Sequence, residues 1–405
     1  MQVSRGRVLA RGWGQMTRTY THLGLNRWPF PVVPEPDYCT FLAARSQVRM
    51  DVHEMVDALA RRETSSIQLF WAWFGAGKTH TVHYFSHYAA QAANAKGNNR
   101  LITVYTEFPK GAKSFLDLYR SLLVAIDSDL LTEAFLEVAT SPESAGVLRR
   151  LMQASPDLFT ALNVLVTGNV QSQLLAHRWL RGDAVPASDL KKVGIAQRVT
   201  TSEEATRALA SIIGMLNVAA QAHGRPAARL IWIIDEFQRI QKAGTRGLDD
   251  INSGLHSTFN ASPNALTLVF SFSGRPQPSG LPDWFSRELR DRIGRTKVMV
   301  LPPMSADEAL RFVREILSQF RLAVGSLPSA PFFPFSEATC KAIIAEVQAK
   351  GELKPRSVMH AFNSVLQEAE PLIERKELDV ISVDFAKKAL EAYTVVTDKD
   401  LEDGE

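Results

Sequence analysis

The stretch Ile67–His80, IQLFWAWFGAGKTH, decides how the rest of the chain is interpreted. It begins as an apolar run typical of a buried strand, passes through a Gly-Ala-Gly turn and reaches a Lys-Thr pair where a helical pattern begins. This is the pattern of a phosphate-binding loop. Its glycines allow main-chain N–H groups to turn towards a polyphosphate, and the positive end of the new helix faces the same charge. The predicted nucleotide-binding residues of the loop are Gly75, Ala76, Gly77, Lys78, Thr79 and His80.

Two side chains of this loop have a predicted chemical role, and three others depart from the full pattern. Lys78 supplies a mobile cation, and the hydroxyl of Thr79 is a suitable ligand for Mg²⁺. The first glycine of the pattern is replaced by Ala72, and the bulky Trp73 and Phe74 follow where small residues are more common. The sequence therefore predicts phosphate binding, and these three residues leave the tightness of the turn open.

Composition describes an ordinary globular chain of 405 residues with 45% hydrophobic and 22% charged residues. A net charge of +3 permits a DNA partner without requiring one. Cys39 and Cys340 are the two cysteines of the sequence, which excludes a disulfide framework or a cysteine zinc site and favours a reducing, cytoplasmic location. The sequence contains no apolar run of membrane-spanning length, so no membrane partner is expected.

The first part of the chain has two interpretations. Residues 1–15 are basic and lack acidic residues, which is typical either of a transit peptide or, as we favour, of an over-extended start with Met16 as the natural initiator. The proline-rich arm from Thr21 to Val48 is too aromatic for a free linker, so we expect it to pack without regular structure. The predicted domains are an arm and helix over 1–62, a nucleotide-binding core over 63–301, a helical lid over 302–395 and an acidic tail over 396–405.

Further strands are predicted by short apolar runs. Between the apolar runs Leu101–Thr106 and Leu230–Ile234 the sequence indicates helices alone, which predicts a helical insertion at about 129–222. The runs that follow the first strand are Leu101–Thr106, Leu230–Ile234, Leu266–Phe272 and Val298–Leu301.

An acid pair and a serine pair follow two of these strands. Asp235 and Glu236 end a fully apolar run, which is how an NTPase core places carboxylates beside a nucleotide. Asp235 would hold Mg²⁺ through water, and Glu236 would orient and deprotonate the attacking water. The alternative is a solvated acidic turn. Ser271 and Ser273 end the next strand, where they would contact the γ-phosphate or the attacking water, although serine is also common in loops.

The last third of the chain reads first as arginine-rich and then as helical. The segment Trp284–Lys297 is either a solvated face or the source of an arginine finger that acts on a neighbouring subunit. Four helices are then predicted, from Ser305 to about Phe320, from Ser336 to Ala349, from Pro355 to about Ala369 and from Val383 to Tyr393.

These residues together resemble the AAA+ ATPases, in the branch with replication initiators, ExeA-like ATPases and transposon target-selection (TnsC/TniB-like) ATPases. The similar segments are LGLNRWPF with PEPDY, Phe41–Arg45, the phosphate loop, IIDEF, SFSGRP and GELKPRSV. The resemblance implies an α/β P-loop NTPase fold, with a five-stranded parallel sheet, flanking helices, a helical insertion and a C-terminal all-α lid. By that match Arg45 helps enclose the base, Arg292 is the finger, and Arg356 is a second sensor that reaches the γ-phosphate.

Two functions of different classes remain open at this point. The first is an ATP-binding and Mg²⁺-dependent ATP-hydrolysing switch that forms ATP-dependent homo-oligomers and acts on or near DNA. The second is a nucleotide-dependent scaffold with little turnover, which binds a protein partner through the helical insertion. A translocating helicase is a poorer option, because the sequence indicates no second motor core.

Overall fold

The computed structural model describes residues 19–32, 36–95, 100–221, 227–274, 280–293, 298–322 and 330–391. The predictions for residues 1–15, for Met16 as the start and for the tail 396–405 lie outside these ranges, as does Arg295 of the arginine-rich segment.

A five-stranded parallel sheet is the framework of the fold, with the strand order β2-β3-β4-β1-β5. The strands are β1 (Ser66–Ala72), β2 (Arg100–Glu107), β3 (Ala228–Asp235), β4 (Leu266–Ser273) and β5 (Val298–Leu301). Every residue of β1 and β3 is buried, as expected for parallel strands covered on both faces. Glu107 pairs in register with Asp235 and Ile234 with Phe270, so β2, β3 and β4 finish at the same edge. The fold class predicted from the sequence is confirmed.

Helix α1 (Ser46–Arg61) precedes the first strand. Helices between the strands include α2 (Lys78–Ala95), α3 (Phe115–Ala125), α10 (Gly244–Ala261) and α11 (Arg287–Ile293). A capping box of Ser114 and Asp117 fixes the start of α3, which then packs on β2. A 3-10 helix, Phe237–Ala243, separates the end of β3 from α10.

Between Asp127 and Gln221 the structure contains helices and no strand, as the sequence predicts. The helices are α4 (Ser128–Thr140), α5 (Ala145–Ala154), α6 (Pro156–Thr167), α7 (Val170–Leu180), α8 (Ala187–Lys192) and α9 (Ser202–Gln221). The last of them, α9, packs on β3 as well as on α4 and α10. It therefore covers the sheet directly, and buried residues of the shorter helices before it belong to the same hydrophobic core.

The described residues of the C-terminal part form four helices, and serines cap three of them. The helices are α12 (Ala306–Gln319), α13 (Glu337–Lys350), α14 (Pro355–Glu374) and α15 (Val383–Leu390). Ser305, Ser336 and Ser382 each accept a hydrogen bond from a main-chain N–H of the first turn. Helix α14 continues past the predicted end at Ala369 and through Pro371, with Ile373 buried in the helical core.

The chain forms two compact units, each with a core of its own. The sheet unit contains Val52–Trp71 and Phe85–Val300, and buried side chains of its strands and helices form its core. The helical unit contains the described residues up to Asp51, Ala72–Tyr84 and the described residues from Leu301 onwards. The described residues of the proline-rich arm pack within the helical unit. The expectation that the arm has no regular structure is wrong, because it includes two short 3-10 helices.

Among the described residues, no helix combines the length and the apolar character needed to cross a membrane.

Candidate functional site: a phosphate loop and an acid pair

The phosphate loop joins the end of β1 at Ala72 to the start of α2 at Lys78. Gly75 and Gly77 have φ angles of 75° and 87°, in the left-handed region where a Cβ is disfavoured. The sequence therefore needs glycine at both positions to make this turn. Lys78 is only 5% exposed in its first-turn position. A glycine turn at a helix N-terminus with a nearly buried lysine is a cradle that fits a polyphosphate.

The first turn of α14 contacts this loop within the helical unit. The main-chain N–H of Arg356 donates to the carbonyl oxygen of Gly75 at 3.2 Å, and a Cβ built on Gly75 would lie 3.3 Å from the Cβ of Arg356. The ammonium group of Lys354 lies 5.4 Å from the centre of the Trp73 ring. The predicted second sensor therefore lies directly beside the loop. Sequence reasoning missed Lys354, whose only signal is its place one residue before the helix-starting Pro355.

His80, predicted to bind nucleotide, uses its ring to hold the N-terminal arm. Its Nε2 lies 2.8 Å from the carbonyl oxygen of Phe41, and its Nδ1 lies 3.5 Å from Sγ of Cys39. Burial raises the pKa of the Cys39 thiol to about 12, so this group stays protonated and donates to Nδ1. Burial also lowers the pKa of His80, which keeps its ring neutral with Nε2–H donating to Phe41. These contacts tie the arm to the first turn of α2.

Arg45, predicted to border the base, is held at one end only. Its Nη2 donates to the carbonyl oxygen of Pro302 at 3.0 Å. Its Nε and Nη1 are buried and have no hydrogen-bond partner among the described residues. Burial lowers the pKa of this guanidinium, and Glu308 acts in the opposite direction. Buried donors without partners are uncommon in folded proteins, so these two are available to a ligand.

The acid pair lies at the end of β3 in the sheet unit. The buried carboxylate of Asp235 accepts from the hydroxyl of Tyr105 at 3.1 Å and from the main-chain N–H of Glu236 at 2.9 Å. Burial, together with the neighbouring Asp235, raises the pKa of Tyr105, so its hydroxyl remains a donor. Glu236 has a φ angle of 55°, which is unusual for a residue with a side chain.

The predicted serines occupy the end of β4. The Ser271 hydroxyl is fully buried and without a hydrogen-bond partner among the described residues. Ser273 is half-buried, and its main-chain N–H donates to Oε1 of Gln238 at 3.0 Å. The other end of the Gln238 amide donates to Oε2 of Glu236 at 2.6 Å. The structure thus links the end of β4 to Glu236 through Gln238, a residue that sequence reasoning missed.

The arginine-rich segment is partly solvent-facing. Arg292, the predicted finger, is exposed on α11, and so is Arg287. Arg290 differs, because its guanidinium donates to the carbonyl oxygens of Phe285 and Pro282 and pairs with Asp283.

The predicted magnesium ligands are oxygen atoms of the type that Mg²⁺ prefers. They are the Asp235 carboxylate in the sheet unit and the Thr79 hydroxyl in the helical unit. In the described parts of the chain, no three His, Cys, Asp or Glu side chains are grouped to hold a metal by themselves. Each oxygen by itself is a suitable ligand, because Mg²⁺ is usually bound by one or two carboxylates together with phosphate oxygens.

Neither a family model nor a curated protein matches this sequence. Solved structures with a distant likeness include the Aeropyrum pernix ORC1 protein in complex with DNA, at 13% identity and a TM-score of 0.49, covering 90% of this chain and 69% of that one. Domain III of the Thermotoga maritima replication initiation protein DnaA has 14% identity and a TM-score of 0.43, covering 90% and 98%. The Aeropyrum pernix ORC2 protein with ADPNP and ADP has 14% identity and a TM-score of 0.48, covering 89% and 69%.

Proposed function

We propose that this chain is an ATP-binding and ATP-hydrolysing molecular switch of the AAA+ type. The observation that carries the proposal is the phosphate loop. It follows a buried strand, turns on two left-handed glycines and opens a helix with the nearly buried Lys78. Main-chain N–H groups of a glycine turn and the positive end of a helix face the same point, and this arrangement favours a bound polyphosphate.

Each site residue has a role in this proposal. Main-chain N–H groups of the loop and Lys78 bind the phosphates, and Thr79 and Asp235 hold the magnesium ion. When bound, Mg²⁺ offsets charge on the phosphate oxygens. Glu236 orients the attacking water and accepts its proton.

The arginines and the serines complete the assignment. Arg356 stabilises charge on the γ-phosphate, and the buried Ser271 hydroxyl donates to the phosphate or the water. The two free donors of Arg45 meet the nucleotide base. Arg292 is exposed, as a group that acts on a neighbouring subunit must be, so we propose ATP-dependent homo-oligomers.

We further propose that the oligomer binds DNA through phosphate contacts without reading base sequence. Exposed cations of the sheet unit, Arg287 and Arg292 on α11 and Lys191 on α8, support this. Binding that depends on phosphate contacts weakens steeply as salt increases. Retention on DNA that is unchanged between low and high salt would contradict it.

A nucleotide-dependent scaffold with little turnover is the second candidate. The favouring observation is Trp73, a bulky residue of the phosphate loop whose ring lies beneath the ammonium group of Lys354. A loop held by such a contact would release nucleotide slowly. In that case purified protein would carry stoichiometric nucleotide, and the helical insertion would bind a protein partner.

The test compares ATP turnover and ATP binding in the wild type and in Glu236→Gln. Loss of a general base lowers the rate by about 10²–10⁴-fold, so Glu236→Gln should bind ATP and turn it over at least a hundredfold more slowly. Glu203→Gln is the matched control, because the Glu203 side chain is 84% exposed on α9. Binding without turnover in the wild type would refute the enzyme and support the scaffold. Absence of binding would refute both.

Oligomerisation has a separate test. The particle mass of the wild type should increase with a non-hydrolysable ATP analogue, and Arg292→Ala should lower turnover at high protein concentration while ATP binding is retained. Turnover that is unchanged in Arg292→Ala would remove this arginine from the mechanism.

A further inference from the structure

Gln238 connects the acid pair to the end of β4 by two hydrogen bonds. It is buried on the 3-10 helix Phe237–Ala243 that begins directly after Glu236. Its Nε2 donates to Oε2 of Glu236 at 2.6 Å, and its Oε1 accepts from the main-chain N–H of Ser273 at 3.0 Å. All three residues belong to the sheet unit, so the chain of contacts is formed within one compact body.

The orientation of the Gln238 amide is fixed by its neighbours. The main-chain N–H of Ser273 can only donate, so the amide oxygen must face β4. The amide NH₂ group is then directed to Glu236, whose carboxylate accepts. A reversed amide would place two donors together at one end and two acceptors at the other. Glutamine is therefore chemically matched to this position, and neither a carboxylate nor an apolar side chain makes both bonds.

The main chain of Glu236 is constrained in the same region. Its φ angle of 55° is left-handed, and its N–H donates to Oδ1 of Asp235 at 2.9 Å. A glutamate side chain has three rotatable bonds, so a fixed main chain alone leaves its carboxylate several orientations. The short bond from Gln238 selects one of them.

We propose that Gln238 is a positioning residue for the hydrolysis reaction. Gln238 holds the Glu236 carboxylate in the orientation that accepts a proton from water, a role that rests on the proposed function. Through Ser273 it also couples that orientation to the end of β4, the strand that carries the buried Ser271 hydroxyl. A catalytic base oriented by a third group is a recurrent arrangement in enzymes.

The test uses Gln238→Met, which keeps the length of the side chain without its polar groups, and Gln238→Glu, which keeps its shape. Misplacing a catalytic group by about 1 Å costs roughly a hundredfold in rate, so kcat should decrease by about 10- to 100-fold in both variants. The KM and the affinity for ATP should change by less than about twofold, because Gln238 does not bind the nucleotide. Gln153→Glu and Gln153→Met are the controls, because Gln153 is exposed on α5 of the same sheet unit.

A stability readout tests the contact independently of turnover. Gln238→Glu brings two carboxylates together and should lower the melting temperature. Adding Glu236→Gln should restore much of the loss, because the new amide donates to the new carboxylate, which still accepts from Ser273. Additive effects in this double-mutant cycle would overturn the contact.

The two proposals fail in different ways. If Gln238→Met hydrolyses ATP with the same kcat as the wild type, the positioning role alone is overturned. No turnover in the wild type, together with a coupled stability cycle, would refute the proposed hydrolysis and with it the catalytic role of Gln238, while confirming the hydrogen bond.

Discussion

Gly254 of α10 packs so closely on Phe115 that one added methyl group should destabilise the sheet unit. A Cβ built there would lie 2.2 Å from Cγ of Phe115, and real Cβ atoms essentially never approach closer than 3.0 Å. Phe115 cannot retreat easily. Its ring is fully buried, and its main-chain N–H donates to Asp250 of the same helix α10 at 2.8 Å.

The magnitude follows from two opposing effects of Gly254→Ala. Alanine favours a helix interior over glycine by about 1 kcal/mol. Overpacking a well-packed core costs about 1–3 kcal/mol, and a 2.2 Å approach belongs at the upper end of that range. After the helix gain is subtracted, Gly254→Ala should be destabilised by about 1–2 kcal/mol. Gly214→Ala is the matched control, since Gly214 is also helical, in α9, and a Cβ there meets nothing within 4 Å.

The assay is thermal denaturation of the full chain followed by circular dichroism. Gly254→Ala should melt below the wild type and Gly214→Ala above it, with a difference in unfolding free energy of about 2–3 kcal/mol. For units of this size the two melting temperatures should differ on the order of 10 °C. A Gly254→Ala variant that melts with or above the wild type would refute the packing described between α3 and α10.

Three further predictions concern the helical unit. Lys78→Met should weaken ATP binding by about tenfold or more, as loss of a charged hydrogen bond does. Lys242→Met, at an exposed position of the 3-10 helix Phe237–Ala243, should not, and equal affinities of the two variants in a fluorescent-nucleotide titration would contradict this. Gly75→Ala should reduce nucleotide affinity more than Gly111→Ala, because both have positive φ but a Cβ would be crowded only at Gly75; the same titration measures it. Burial lowers the pKa of His80 from its ordinary value of 6.5. Below that pH the unfolded chain binds more protons than the folded chain, so stability should fall as the pH decreases from about 7.5 to 5.5. Melting temperatures at both pH values should show a smaller decrease in His80→Gln, and an unchanged decrease would assign the effect elsewhere.

The sheet could be predicted from the sequence because its strands are nearly continuous apolar runs ended by glycine, proline or charge. The prediction for Val298–Leu301 agrees with β5, and that for Leu266–Phe272 differs from β4 by one residue. Helix starts with a serine cap, such as Ser305 and Ser336, were equally accessible. These signals are local, so no contact between distant residues was needed to recognise them.

The contacts around the site could not be predicted, because each joins residues far apart in sequence. His80 reads as the continuation of the phosphate loop, and only the fold shows that Phe41 and Cys39 occupy its ring nitrogens. Gln238 is an ordinary polar residue after an acid pair until the end of β4 is placed beside it. The end of α14 was also missed, since burial of Ile373 outweighs the helix-breaking tendency of Pro371.

The core of the helical unit combines the two ends of the chain. Leu23 and Phe30 of the arm are fully buried, and the Phe30 ring lies 5.4 Å from that of Phe362 in α14. During synthesis the ribosome delivers Phe362 roughly 330 residues after Phe30, on the order of half a minute later. Until the chain from Met304 onwards is made, Leu23 and Phe30 lack most of the apolar partners of this core. A nascent chain of this protein should therefore expose an apolar segment of the arm for most of its translation. A premature stop before α14 would leave that segment exposed, as a binding site for chaperones.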